Sequence, residues 1–397
     1  MKKFILSLHS LHLLIGLYVI LAFVAASQAY VMKVKTAPGE TPTVTKYNNY
    51  VIFRYSHFHL LEGKDLYKAY YPEEYWDLYK YSPTFALFFG CFAWFPDWLG
   101  LTLWNLLNVM VFFIAICYLP GLDNKKKMLI LLLSAPDAMI SLQNSQSNLL
   151  VAGLLILGFI FVERKSYFIA TLCLVATFYI KIFGVVSLIL LLFSSEKNQS
   201  ILYAIFWMII LWIIPAIIIG FGPLLTTYLQ YAEMLKNDHS VSLGISVMGW
   251  LKSWFGFDLS KTVLALTGLM IICLPLINFR KFAGYTNRIL FFSALLIWMV
   301  IFNHKAESPT FIIATSGIFL WFFSVEKSLL NRILLGCVVV FTSLSCTDLF
   351  PPSIRENLFE PYVIKVVPCI LVWCKIIYDL LRKKDPGEFQ IAQSPEI

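Results

Sequence analysis

Residues 125–165 read KKKMLILLLSAPDAMISLQNSQSNLLVAGLLILGFIFVERK. Two apolar runs, 128–142 and 148–162, are parted by QNSQSN at 143–148 and flanked by KKK and RK. Long apolar runs bounded by charge read as membrane helices, and Lys and Arg are retained on the cytoplasmic side. The stretch therefore predicts a helical hairpin, with its basic ends inside and its uncharged polar turn on the outer face.

The rest of the chain repeats the pattern. Of 397 residues, 59% are apolar and only 14% charged, against about 45–50% and about 25% in soluble domains. The mean hydropathy is +0.76. This composition excludes a soluble enzyme, a disordered chain and a coiled coil. The net charge of +8 reads as cytoplasmic Lys and Arg rather than a nucleic-acid surface, because no dense basic stretch of soluble character exists. The eight cysteines lie in or beside apolar stretches, and none forms a CxxC pair. They read as packing residues, with no disulfide and no zinc site expected.

The first apolar run, 4–26, exceeds the 7–15 residues of a signal-peptide core and is expected to stay as a helix, its end with Lys2 and Lys3 in the cytoplasm. Further runs lie near 83–96, 101–119, 128–142, 148–162, 166–180, 181–194, 200–220, 261–279, 287–303, 309–325, 331–347 and 361–380. The basic tail, 382–397, is also assigned to the cytoplasm, which requires an even number of crossings. Thirteen runs therefore give twelve crossings if the short 83–96 is re-entrant or interfacial. The expected fold is an all-α polytopic membrane protein, a single integral-membrane domain over 1–381. Two larger polar segments, 33–82 and 222–260, fall on the extracytoplasmic face. So do 143–148, the surroundings of Lys181, and 303–308.

These outer segments hold the candidate chemistry. Residues 48–61 read as an amphipathic interfacial helix, with Asn48 as N-cap and Gly63 as stop. Twelve aromatic residues lie between 47 and 81, suited either to anchoring or to covering a lipid-linked ligand. Glu62, Asp65, Glu73, Glu74 and Asp77 are possible general bases. Pro83 marks a helix start whose first turn, beside Lys80 and Tyr81, could hold an anion. The turn 143–148 is either a plain loop or a hydrogen-bonding cluster, and Gln146 and Asn148 offer amides suited to sugar hydroxyls. A lysine buried mid-helix costs about 2.5–3.5 kcal/mol, so Lys181 snorkels, marks an outer break between two short helices, or meets an anion. Asp238, His239 and Ser240 form one further cluster, and His304, Lys305 and Glu307 another.

The order of these motifs resembles the family-87 glycosyltransferases of the GT-C superfamily, which include polyprenyl-phosphate-mannose-dependent mannosyltransferases. The residues that carry it are Gly63 to Tyr67, Tyr81-Ser82-Pro83, Trp104-Asn105-Leu106-Leu107-Asn108, Ser145-Gln146-Ser147-Asn148, Lys181 and His304, within about 45–325. The resemblance implies a GT-C-like bundle of about twelve transmembrane helices. It implies transfer of a hexose, mannose above all, from a polyprenyl-phosphate donor to a lipid or glycan acceptor, with inversion and without cofactor or metal. The family's usual first-loop Asp falls on Asn49, an amide that takes no proton, so Asp77, Asp65 or Glu307 would have to serve. Lys181 and His304 would meet the phosphate. The alternatives are a transporter or flippase of lipid-linked saccharides, and a catalytically inactive relative acting as a subunit. The partners expected are the lipid-linked donor, the acceptor and membrane lipid, at the cell membrane and without nucleic acid.

Overall fold

The computed structural model describes residues 2–32, 45–71, 73–237 and 242–382. The cluster Asp238, His239 and Ser240 and the basic tail beyond Arg382 lie outside the described residues. Among the described residues the fold is helical, without strands. In chain order the helices are α1 (Lys2–Val31), α2 (Asn48–Glu62), α3 (Pro83–Ala93), α4 (Asp97–Tyr118), α5 (Asn124–Gln143), α6 (Asn148–Glu163), α7 (Tyr167–Ile180), α8 (Lys197–Ile213), α9 (Ala216–Ile219), α10 (Phe221–Asn237), α11 (Val247–Phe255), α12 (Lys261–Cys273), α13 (Tyr285–Ile301), α14 (Phe311–Ser324), α15 (Leu329–Val338), α16 (Pro352–Ile354) and α17 (Val367–Arg382).

Among the described residues, four helical stretches are long and apolar enough to cross a bilayer alone: Leu13–Val31, Asp97–Tyr118, Lys197–Ile219 and Lys261–Ala283. They mark the chain as a membrane protein. Most of the surface of the last two points outward, as lipid-facing helices require. Helix α3 has 11 residues and, at about 1.5 Å each, reaches roughly half the hydrocarbon thickness. Its length fits a segment that does not cross.

The chain divides into two compact units interleaved in sequence, one of Ile15–Ala115 and Ala138–His239, the other of Met1–Leu14, Ile116–Asp137 and Ser240–Ile397. In the former, α2 packs on α3 and α6 on α7. A Cβ on Gly153 would lie 2.8 Å from the backbone N of Phe112, so only glycine lets α6 approach the backbone of α4 this closely. In the latter, α13 and α14 form a hairpin buried on every side. A helix apolar around its whole circumference belongs inside a bundle, and this hairpin is that unit's core.

Helix α2 departs from the amphipathic expectation. Its end is as read, with Gly63 left-handed at φ 67°. Its start is not: Tyr47 occupies the N-cap position, and Asn48 instead exchanges two hydrogen bonds with the backbone of Trp76, at 2.7 and 3.1 Å. Tyr50, Val51, Ile52, Phe53, Ser56, His57, His59 and Leu60 are all buried. Several of the aromatic residues that suggested a surface anchor are packed at the helix instead, Phe53 against Tyr81, Phe85 and Phe89 and Tyr55 against Tyr75, whereas Tyr71 and Trp76 stay exposed. The segment 222–260, read as a polar loop, is largely α10 and α11.

Candidate active site

In the unit containing α2 to α4 and α6 to α10, motifs far apart in sequence converge on the turn 143–148. Ser145 adopts φ +53°, and Ser145, Ser147 and Asn148 are fully buried. The turn is thus the hydrogen-bonding cluster of the two sequence readings. A buried turn needs partners for its backbone, and WNLLN at 104–108 supplies them. Trp104 Nε1 donates to the Ser145 carbonyl at 2.9 Å, and Asn108 Oδ1 accepts from Leu150 N at 3.0 Å. Asn49 Nδ2 donates to the Asn144 carbonyl at 2.9 Å, so this amide fastens the same turn.

Lys181 stands where the helical backbone breaks. Its φ of −141° and ψ of 123° separate α7 from the 3₁₀ segment Ile182–Phe193. Its Nζ donates to Asn148 Oδ1 at 2.7 Å, and Asn148 Nδ2 donates to Gln146 Oε1 at 2.6 Å. The ammonium also lies 5.9 Å from the Tyr81 ring centroid and 6.0 Å from that of Phe183, within cation–π range. Tyr81 is held in turn: the Tyr67 hydroxyl donates to its carbonyl at 3.0 Å, and its ring meets Phe53 at 4.8 Å. Burial pushes the Tyr67 phenol well above its ordinary pKa, with Tyr79 and Tyr231 adding to the effect. Tyr67 therefore stays a neutral donor. Asn49, Gln146, Asn148, Lys181 and Tyr81 thus form one connected group.

The first-loop carboxylates sit in local turns. Asp65 Oδ1 accepts from Tyr67 N at 2.9 Å, which ties it to the residue that holds Tyr81. Asp77 has φ +76°, caps Leu78 N at 2.7 Å and pairs with Lys80 at 3.0 Å. Lys80 therefore meets its anion within the loop. The start of α3 is buried, with Ser82 as N-cap accepting from Phe85 N at 3.1 Å and donating to the Tyr179 carbonyl at 2.5 Å. Pro83 marks the helix start as read, but this turn offers little open surface for an anion.

His304 and Glu307 belong to the other unit. Their loop is fixed by Ala306 N to the Asn303 carbonyl at 2.9 Å, and by Ile245 N to the Ala306 carbonyl at 2.8 Å. Gly244, at φ +60°, lies against it; a Cβ there would come within 2.5 Å of the His304 carbonyl oxygen. Burial and then the nearby Lys261 lower the His304 pKa. The imidazole is held neutral and offers an N–H rather than a positive charge. Glu307 forms a capping box with Thr310.

Sequence reasoning passed over two buried clusters. One is the pairing of His59 with Glu74, at 2.8 Å; Glu74 was among the candidate carboxylates, but its partner was not named. The other is Asp137, whose signal was a lone acid in an apolar run.

The sequence profile of glycosyltransferase family 87 matches residues 79–324, well over half of the chain. No curated protein matches it. The matched segment includes Lys80, Tyr81, Gln146, Asn148, Lys181, His304 and Glu307, and begins after Asn49, Asp65 and Asp77.

Proposed function

The chain belongs to glycosyltransferase family 87, and from that premise we propose that this glycosyltransferase moves a hexose, mannose first among candidates, from a polyprenyl-phosphate donor to a lipid or glycan acceptor. The reaction takes place on the extracytoplasmic face of the cell membrane, in a bundle of about twelve crossings. The observation that carries this reading is Lys181, an ammonium set at a helix break beside aromatic rings and aimed by Asn148.

In the proposed reaction the acceptor oxygen bonds to the anomeric carbon as the bond from that carbon to the phosphate oxygen breaks, with inversion. The acceptor's proton passes to a carboxylate, and polyprenyl phosphate leaves. Negative charge grows on the leaving phosphate, so a preplaced cation stabilises the transition state more than the ground state. Lys181 fills that role. Gln146 and Asn148 orient the sugar or Lys181 itself. Asn49 is a structural amide here, which leaves Asp65, Asp77 and Glu307 as candidate bases. Asp65 is favoured by its tie through Tyr67 to Tyr81.

The test is transfer of labelled sugar from synthetic polyprenyl-phosphate mannose to membrane glycolipid acceptors by purified protein in nanodiscs. Transfer is expected, and Lys181→Ala is expected to abolish it while the thermal melt remains cooperative. Full activity in Lys181→Ala overturns the assignment of the cation. Asp65→Asn, Asp77→Asn and Glu307→Gln are assayed in parallel. Retention of transfer by all of them removes these carboxylates as the base.

A further inference from the structure

Among the described residues, two ionisable side chains in the unit built on α13 and α14 are buried without a direct counter-ion. Asp137, on α5, is 0% exposed and Lys365, just before α17, is 4% exposed. The carboxylate's Oδ2 accepts from Ser343 Oγ at 2.6 Å, while its Oδ1 has no partner among the described residues. Among the described residues the Lys365 ammonium reaches the Cys346 sulfur, at 3.5 Å, and the Phe311 ring, 5.0 Å to its centroid. Lys365 is the positive group whose field acts on Asp137.

A π-helical turn, Val339–Ser343, joins the two charges. Its Ser343 hydroxyl binds Asp137, and the neighbouring Thr342 hydroxyl donates to the Lys365 carbonyl at 2.8 Å. Such turns put successive side chains where an α-helix does not, and they recur at functional sites. Beyond Lys365, Cys346 lies 3.1 Å from the Ser308 hydroxyl. Ser308 closes the loop that carries His304 and Glu307.

We propose that Asp137 and Lys365 are a buried charge pair that holds the 303–308 loop in place, Lys365 acting as a positioning residue through Cys346 and Ser308. Either charge alone in this setting is strongly unfavourable, whereas removing both is tolerated far better. Lone ionisable groups at membrane depth mark working parts of a protein, usually together with a partner. The pair does not depend on which sugar or lipid the protein uses.

The experiment uses the full chain in nanodiscs. Asp137→Asn and Lys365→Met are made singly and together, and thermal midpoints are measured. Each single substitution is expected to lower the midpoint, and the double variant to lie above the poorer single. A double variant at or below the poorer single, or one that fails to fold while Lys365→Arg folds, overturns the pair. The loop is read separately by Ser308→Cys, which can form a disulfide with Cys346 under mild diamide oxidation well below the melt. Adding Lys365→Met is expected to slow that disulfide at least fivefold, and Lys365→Arg to restore it. An unchanged rate in the Lys365→Met background overturns the positioning role.

Discussion

The bond from Lys181 to Asn148 allows a quantitative test. At 2.7 Å it is a charge-assisted hydrogen bond to a fully buried amide, a class that contributes about 1.5–3 kcal/mol. Asn148→Ala also removes the neutral bond to Gln146 at 2.6 Å, about 1 kcal/mol more. The single variant is therefore expected to lose about 2.5–4 kcal/mol. In a Lys181→Met background the charged bond is already gone, so the same substitution should cost about 1.5–3 kcal/mol less. For a unit of this size 1 kcal/mol moves the melt by about 2–4 °C. The double variant should thus melt roughly 3–12 °C above the sum of the single shifts. Tryptophan fluorescence in nanodiscs is a suitable readout, since Trp104 is bonded to the same turn. Additivity of the two shifts within about 1 °C refutes the reasoning, because two bonded side chains cannot act independently.

Asn49→Asp replaces an amide donor to the Asn144 carbonyl with an acceptor. We expect a stability loss of about 1–3 kcal/mol by thermal melt and no gain of transfer; a gain would show that the family carboxylate can be restored despite the turn. Gly153→Ala places a methyl against the backbone of α4 and should cost about 1–3 kcal/mol by overpacking; an unchanged melt would mean that α4 and α6 do not meet there. Burial, the dominant cause, lowers the pKa of both His57 and His59, although the Glu74 charge opposes it at His59. The unfolded chain then binds protons more readily than the folded one, so stability is full above about pH 6.5 and declines as pH falls below it toward the lowered values. Melts from pH 8 to 5 should show this decline, which should shrink in His57→Gln; an identical slope in that variant excludes His57 as a source.

The architecture was legible where the physics is local. Apolar run length and basic flanks announced membrane helices, Ser82 and Pro83 announced the start of α3, and Gly63 the end of α2. The break at Lys181 followed from the cost of a charge inside an apolar run. The orders of Trp104 to Asn108 and of Ser145 to Asn148 were visible, but not that one clasps the other. That pairing spans some forty residues of sequence and depends on how α4 packs beside the turn.

The sequence by itself determined that this chain is helical and membrane-bound, which amide-rich turn interrupts it, and which lysine stands out, because solvation acts on each residue type wherever it lies. Only the tertiary structure decided that Asn49 serves the 143–148 turn, that Asn148 aims Lys181, and that Tyr75 and Tyr81 of the aromatic first loop pack inward against α2. It also decided which buried charges answer each other, as Asp137 and Lys365 do through Ser343 and Thr342. Hydrogen bonds and ion pairs of this kind are satisfied by whatever the fold brings within about 3 Å, and sequence separation carries no record of that distance.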